Sequence, residues 1–314
     1  MVGVPSAEPS TDTAWVVGSG GLLGSAVVRR LRSLGRDVRT VVVPWSDPQA
    51  SRVVLSSLAR EVARSEAEVY WCAGAAVIGS SQPEFDAELA CLRAFLSGWA
   101  PVGGNNAFFL ASSAGGVYAG SSAPPFTEET VAVPISPYGD AKLAAEQVAR
   151  EFAGRADVAL LVGRTANLYG PGQDITKQQG LISQLCRAEL TRQPLTIYVS
   201  LDTMRDYLFV DDAAAMAVAG LGAVRARGCS HLKILASEQP ATIGAVLGGL
   251  RRITRRRPPV ILGASPNAQF QVRDLRLRSD AWPPTAGFAR TPMPAGMSAT
   301  LTAVGTQLRA TRTP

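Results

Sequence analysis

Apolar residues along this chain come in short blocks that alternate between two spacings. Ala14-Trp15-Val16-Val17 is a continuous apolar run, the mark of a strand buried on both faces. It stops at Gly18. From Leu22 to Leu34 the positions Val27, Val28, Leu31 and Leu34 fall on one helical stripe, which Gly35 closes. The same alternation predicts strands over 38–43, 68–72, 107–111 and 158–162, with helices over 48–64, 83–99 and 137–152 between them. Repeated strand–helix–strand units with near-continuous apolar strands predict an α/β fold, a doubly wound parallel sheet covered by helices on both faces. Beyond Arg164 the pattern loses regularity: a helix over 181–190, a strand over 195–199 and the segment 205–210 interrupt it. A helix over 211–224 and a strand over 232–235 read as a return to the sheet. The Pro-rich remainder is expected to form a smaller C-terminal lobe ending in a helix near 298–308.

Composition narrows the picture. Of the 314 residues 46% are hydrophobic and 18% charged, which supports one large core and argues against long disorder. The net charge is +6, and lysine occurs only at Lys142, Lys177 and Lys233. A positive balance suits an anionic small molecule as well as nucleic acid. The basic run Arg251–Arg257 has no interleaved aromatic for base stacking, so it reads as a solvated helix end, and nucleic acid is not the expected partner. Cys72, Cys91, Cys186 and Cys229 are far apart and form no CxxC pair, so they read as reduced thiols. The single histidine, His231, cannot build a His-based metal site and reads as a packing residue; no metal is expected. Residues 1–13 have neither a basic nor an apolar leader segment and read as a flexible tail. No apolar run approaches the ~18 residues of a membrane span. A cytoplasmic protein without a membrane partner is the expectation.

Two local patterns carry chemistry. Gly18, Gly21 and Gly24 follow the first strand and open the first helix, where a glycine turn lets backbone N–H groups approach a pyrophosphate and the helix N-terminus adds partial positive charge. The acid that such a site usually places after its second strand is missing: the region reads Val41-Val42-Val43-Pro44-Trp45, with Asp47 the nearest carboxylate. NAD and NADP therefore both stay open on the residues alone. Trp45 could cover an adenine or simply pack. The second pattern is Ser136-Pro137-Tyr138-Gly139-Asp140-Ala141-Lys142, which puts Tyr138 and Lys142 on one face of a helix. A phenol is a poor base at neutral pH, and an adjacent ammonium favours its ionised form. Upstream, the strand Phe108–Ala111 runs into Ser112 and Ser113; hydroxyls at the carboxyl end of a parallel strand are expected to face the ligand crevice.

Together these motifs resemble the extended short-chain dehydrogenase/reductases, the NAD-dependent epimerase/dehydratase group that includes UDP-galactose 4-epimerase. The resemblance rests on Gly18-x-x-Gly21-x-x-Gly24, Ser112-Ser113-x-x-x-Val117-Tyr118, Ser136-Pro137-Tyr138-x-x-x-Lys142, Arg164-Thr165-Ala166-Asn167-Leu168-Tyr169-Gly170-Pro171-Gly172 and Arg205-Asp206-Tyr207-Leu208-Phe209-Val210-Asp211-Asp212, in family order over roughly 14–300. It implies a Rossmann domain over 14–163, with its sheet completed by about 205–236, and a substrate-binding lobe from 164–204 and 237–314. It also implies NAD as cofactor, with NADP not excluded. Gly18, Gly21, Leu22, Leu23, Gly24, Ala73, Gly74, Ser112, Tyr138 and Lys142 would contact the cofactor. Tyr138 would be the acid/base with Lys142 beside it, and Ser113 would bind the reacting hydroxyl. Asn167 and Arg205, with Ser113, would hold a nucleotide-sugar. Arg205 could instead be a structural partner of Asp206 or Asp211. The expected reaction is nucleotide-sugar epimerisation, ahead of a ketoreductase or a non-catalytic cofactor-binding sensor or scaffold. Dehydration is disfavoured, because Ala114-Gly115-Gly116 offers no acid after the serines. The family's dimer-forming helices correspond to 83–99 and 137–152, so a homodimer is expected. Two departures stand out: Ala114 occupies the position of the family's usual catalytic hydroxyl, leaving Ser113 as its substitute. The stretch 43–68 has room for one helix where the family fits helix, strand and helix.

Overall fold

The computed structural model describes residues 13–74, 79–177, 179–264 and 272–311. Of the expected tail only Thr13 falls within them. The first half of the chain forms β1 (Thr13–Val17), α1 (Leu22–Ser33), β2 (Val38–Thr40), α2 (Pro48–Val62), β3 (Ala67–Trp71), α3 (Gln82–Gly98), β4 (Ala107–Ser113), α4 (Ala114–Val117), α5 (Pro137–Ala156) and β5 (Ala159–Thr165). The second half adds β6 (Asn167–Tyr169), α6 (Leu181–Thr191), β7 (Leu195–Ile197), β8 (Met204–Arg205), β9 (Tyr207–Phe209), α7 (Val210–Arg227) and β10 (Ser230–Leu235). After them come β11 (Ala241–Thr242), α8 (Ile243–Thr254), β12 (Val260–Leu262), β13 (Asp274–Leu275) and α9 (Met293–Ala310).

The six-stranded sheet runs in the order β10-β5-β4-β3-β1-β2, and every neighbouring pair is parallel. Strand side chains alternate between faces, and the core divides accordingly. Ala14, Val16, Tyr70, Phe109 and Leu161 pack under α1 and α7. Trp15, Val17, Val69, Trp71, Phe108, Leu110 and Leu160 pack under α2, α3 and α5. A third cluster gathers Tyr169, Ile182, Leu185, Phe209, Val246, Leu250, Met297 and Val304 between α6, α8 and α9, and forms the core of the smaller lobe.

Several elements differ from what the periodicity predicts. β2 ends at Thr40 instead of reaching Val43, and Val42 is 93% exposed. β2 is the edge of the sheet, α2 is the one helix between it and β3, and among the described residues no further strand lies beyond to pair with Val41–Val43. α8 carries apolar residues at Ile243, Val246, Leu247 and Leu250, but its glycines at 244, 248 and 249 lower intrinsic helicity; burial of that stripe overrides the propensity. The terminal helix starts at Met293, five residues before the expected 298. The return to the sheet is made by α7 and β10, whereas β8 joins β11 and β13 in a small sheet and β9 pairs with β6.

One buried polar cluster fastens this framework. Glu146 on α5 is fully buried; it accepts hydrogen bonds from Arg164 of β5 through Nε (2.9 Å) and Nη2 (2.8 Å), from Ser112 of β4 (2.6 Å) and from Arg150 (2.7 Å). Arg164 also donates to the Tyr118 hydroxyl at 2.7 Å, and that hydroxyl donates to the Thr127 carbonyl at 2.9 Å. Burial alone would push the Glu146 carboxyl up, but the hydrogen bonds and charge of Arg164, with Ser112 and Arg150, outweigh it and hold the group below the usual glutamate value.

Two predictions follow from this packing. An alanine methyl at Gly163 would lie 2.7 Å from the Phe109 ring and 3.1 Å from Leu235. Gly163→Ala should therefore cost about 1–3 kcal/mol, seen as a lower urea midpoint at constant m-value. Glu146→Gln leaves Arg164 buried without its carboxylate and should cost about 3–5 kcal/mol at pH 7. A carboxyl depressed in the folded state contributes fully above the ordinary glutamate range and loses that contribution as pH falls through the folded value. The stability gap between wild type and Glu146→Gln should thus narrow steadily below about pH 4.5; a gap that stays constant down to pH 3 would contradict the assignment.

Candidate active site

The glycine turn folds as its composition requires. Gly18 has φ +85°, and a Cβ there would come within 2.6 Å of the Ala73 nitrogen. A Cβ at Gly24 would lie 2.2 Å from the Gly18 carbonyl oxygen. The turn thus closes on itself at one glycine and against the carboxyl end of β3 at the other. Gly21 caps α1 without any side-chain acceptor, and the first turn of the helix carries no acid. Leu22 and Leu23 occupy the first helical positions, so their backbone N–H groups, not their largely buried side chains, are what the turn offers to an anion. A dinucleotide pyrophosphate fits this cradle: the space is glycine-lined, the helix dipole is uncompensated, and no carboxylate competes.

From the turn a continuous set of contacts leads to the tyrosine. Gly18 touches Ala73; the next residue, Gly74, would place a Cβ 3.1 Å from Lys142 Nζ. Lys142 Nζ stands over the Tyr138 ring, 5.4 Å from its centroid. A Cβ at Gly116 would lie 2.8 Å from the same ring, and Phe85 of α3 packs on it at 6.3 Å. Ser136 caps α5 by accepting from the Gly139 N–H at 3.3 Å, and Pro137 starts the helix, so Tyr138 sits in the first turn. Ser113 caps α4, its Oγ accepting from the Gly116 N–H at 3.1 Å. Ser113, Tyr138 and Lys142 are thereby gathered around α4. A shared cleft beside them is lined by Ala73, Gly74, Phe85, Glu88, Tyr138 and Lys142, with Trp45 and Trp71 at its apolar side.

Ser112 departs from expectation. Its side chain is buried and bonded to Glu146, away from the crevice, because successive residues of β4 point to opposite faces of the sheet. Only Ser113 directs its hydroxyl toward α4. Trp45 packs edge-on against Trp71 at 6.5 Å. His231 packs against Trp282 at 5.0 Å. The four cysteines are free thiols, and among the described residues no cluster of metal-ligating side chains forms and no helix is long and apolar enough to cross a membrane.

Asn167 and Arg205 lie on the lobe side, on adjoining segments of chain. Asn167 is exposed at the start of β6, and its N–H donates to the Asp206 carbonyl at 3.1 Å. Arg205 is only 9% exposed, and its Nη1 donates to the Met204 carbonyl at 2.8 Å. Burial pushes its guanidinium down, against the influence of Tyr207 and Asp274. The acids considered as structural partners are engaged elsewhere: Asp206 accepts from the Ser237 N–H at 2.8 Å, and Asp211 pairs with Arg29 at 2.6 Å. Arg205 pairs in register with Leu275, whose Cδ1 lies 4.0 Å from the point a Gly115 Cβ would occupy. The lobe sheet therefore reaches α4 and the tyrosine side of the cleft. Two participants escaped the sequence reading. Glu146 is eight residues past Tyr138 on an otherwise ordinary helix, and nothing local marks it as the partner of Arg164. Glu88 lies on α3 without any motif around it.

Comparisons with known proteins agree with this architecture. dTDP-4-dehydro-6-deoxyglucose reductase of Escherichia coli is 34% identical over 103 residues, 33% of this chain and 32% of that protein. UDP-glucose 4-epimerase of Azospirillum brasilense is 31% identical over 161 residues, 47% of this chain and 46% of that protein. The matched segments thus span between about a third and a half of these relatives' own length. The solved structure of MoeE5 in complex with UDP-glucose and NAD has a TM-score of 0.77 at 24% identity, covering 95% of this chain and 99% of that one, a likeness of fold. Residues 14–231 match the model of the NAD dependent epimerase/dehydratase family, and the chain belongs to that family.

Proposed function

We propose that the protein binds NAD and epimerises a nucleotide-sugar by reversible hydride transfer, with Tyr138 as acid/base. The observation that carries this reading is the placement of the Tyr138 ring between Lys142 Nζ and the α4 backbone, in contact continuity with the glycine turn. Gly18, Gly21 and Gly24, with the N–H groups of Leu22 and Leu23, would hold the pyrophosphate, and Ala73 and Gly74 would border the cofactor where β3 ends. NAD, when bound, supplies a reversible hydride acceptor and donor. Tyr138 takes the proton from the sugar hydroxyl as it becomes a ketone and returns it afterwards. Lys142 places a positive charge beside the phenol, which favours its proton-accepting form. Ser113, whose oxygen accepts from Gly116, keeps its own O–H to donate to the sugar oxygen. It replaces the hydroxyl that Ala114 lacks. Asn167 and Arg205 would hold the nucleotide end, the guanidinium suiting phosphate oxygens. Ser112 would contribute through its backbone, its hydroxyl being engaged by Glu146. The smaller lobe would carry substrate specificity. A homodimer through the outer faces of α3 and α5, in the cytoplasm, completes the reading; a monomeric mass by light scattering would remove the dimer.

A reductase that exchanges its cofactor is the second reading, favoured by the absence of a carboxylate directly after β2, where 41–45 are apolar and the nearest acid, Asp47, caps α2. Denaturing the purified protein and identifying the released dinucleotide separates the two. Tightly held NAD supports the epimerase, loosely held NADP the reductase, and no dinucleotide by release or titration supports a non-catalytic protein. Tyr138→Phe should lower isomerisation of UDP- and dTDP-sugars by about 10²–10⁴-fold while bound NAD is retained; unchanged turnover would end the assignment. Gly24→Ala forces a methyl into the Gly18 carbonyl and should give folded protein without bound dinucleotide, read by absorbance after release.

A further inference from the structure

Glu88 of α3 is the one carboxylate among the described residues that line the cleft beside Tyr138 and Lys142. A single point locates it. The Cβ position of Gly74 lies 3.1 Å from Lys142 Nζ and 3.8 Å from Glu88 Oε2, so ammonium and carboxylate converge on the same glycine from two different helices. The absence of a side chain at Gly74 leaves them facing each other at the carboxyl end of β3. The rest of the lining near them is apolar: Phe85, Leu89, Leu92, Leu110, Ala111, Ala141 and the two tryptophans. In such surroundings charges are less screened than in bulk water, so carboxylate and ammonium act on each other across the glycine.

We infer that Glu88 is a positioning residue for the proposed reaction, acting through Lys142: across Gly74 its carboxylate tempers the positive field that the ammonium sets at the Tyr138 phenol. This deepens the epimerase reading and adds a group that none of the motifs identifies. Other charged groups on the surrounding elements are committed or set apart. Glu146, further along α5, is bound to Arg164, Ser112 and Arg150. Asp140 on α5 is exposed. Glu84, at the start of α3, bonds Ser81, and Asp86 accepts from Gln82. Arg52 of α2 and Glu88 itself act on Cys91 of α3, whose thiol burial pushes up. Burial likewise pushes Cys72, just past β3, up to about 12, which keeps it neutral.

The test reads the phenol directly, without cofactor or sugar. Phenolate absorbance is followed against pH in wild type and in Glu88→Gln, each corrected by its Tyr138→Phe counterpart. Burial pushes Tyr70, Tyr118, Tyr169 and Tyr207 up, and these four together with the exposed Tyr198 cancel in the difference. Removing the carboxylate leaves the ammonium field unopposed, so the Tyr138 midpoint should fall by about half a pH unit or more. Glu88→Asp, which draws the charge back by one methylene, should shift it less and in the same direction, and carries the measurement if the glutamine variant does not fold. With NAD and UDP-sugar, Glu88→Gln should lose about tenfold in kcat with KM within about twofold, and Glu88→Asp should recover part of the loss. A midpoint unmoved within about 0.2 unit in a folded variant would overturn the role. A wild-type protein that neither binds NAD nor turns over would remove the proposed activity, while the phenol titration would still decide the placement of Glu88.

Discussion

The arrangement around Tyr138 depends on a charge pair that is almost wholly withdrawn from solvent. Glu146 and Arg164 bind each other through two hydrogen bonds, and each reaches a further element: Glu146 takes the Ser112 hydroxyl at the end of β4, and Arg164 takes Tyr118 just past α4. Four elements that carry the candidate site are thus tied at one buried point. Two charges withdrawn from water are costly unless every lone pair and proton is satisfied. Here the carboxylate has four donors and the guanidinium has Tyr118 in addition, so the cluster tolerates only one relative placement of α5, β4 and β5. That constraint fixes the start of α5, and with it Tyr138 and Lys142, against the α4 backbone.

From this anchor the site is assembled by close backbone approach more than by side-chain hydrogen bonds. Gly24, Gly18, Gly74 and Gly116 each stand where a Cβ would press on a neighbour, and the neighbours in turn are the turn itself, Lys142 and Tyr138. Such contacts are short-ranged and unforgiving, so they transmit position well. They also leave the helix N-terminus, the lysine and the phenol as the polar groups aimed at the space where a dinucleotide and a sugar would meet.

The shortened stretch between β2 and β3 changes one side of the molecule. With a single helix there, β2 becomes the sheet edge, and its valines leave the ladder at Val41. Trp45 folds back on Trp71 and fills volume near the cleft. The side of the crevice where an adenosine would rest therefore presents Trp45, and the nearest carboxylate after β2, Asp47, is engaged in capping α2. Chemistry at the tyrosine end is spared, because the β3, β4 and β5 ends that build it are separated from that edge by β1.

What the sequence determined by itself was whatever depends on neighbours along the chain. Apolar periodicity set the alternation of β1 to β5 with their helices; Ser136-Pro137 set the start of α5, and i,i+4 spacing set the shared face of Tyr138 and Lys142. Glycine spacing set the turn. Local signals failed where the deciding partner is remote. α8 was hidden by glycines that a buried stripe overrides, and β2 ended early because among the described residues no strand lies beyond it to pair with. Ser112 turned from the crevice to Glu146, thirty-four residues away, and Arg205 became buried by strands that arrive from 241 and 274. Only the tertiary structure decided these, because desolvation and hydrogen-bond satisfaction are properties of the packed neighbourhood, and a linear pattern does not contain it.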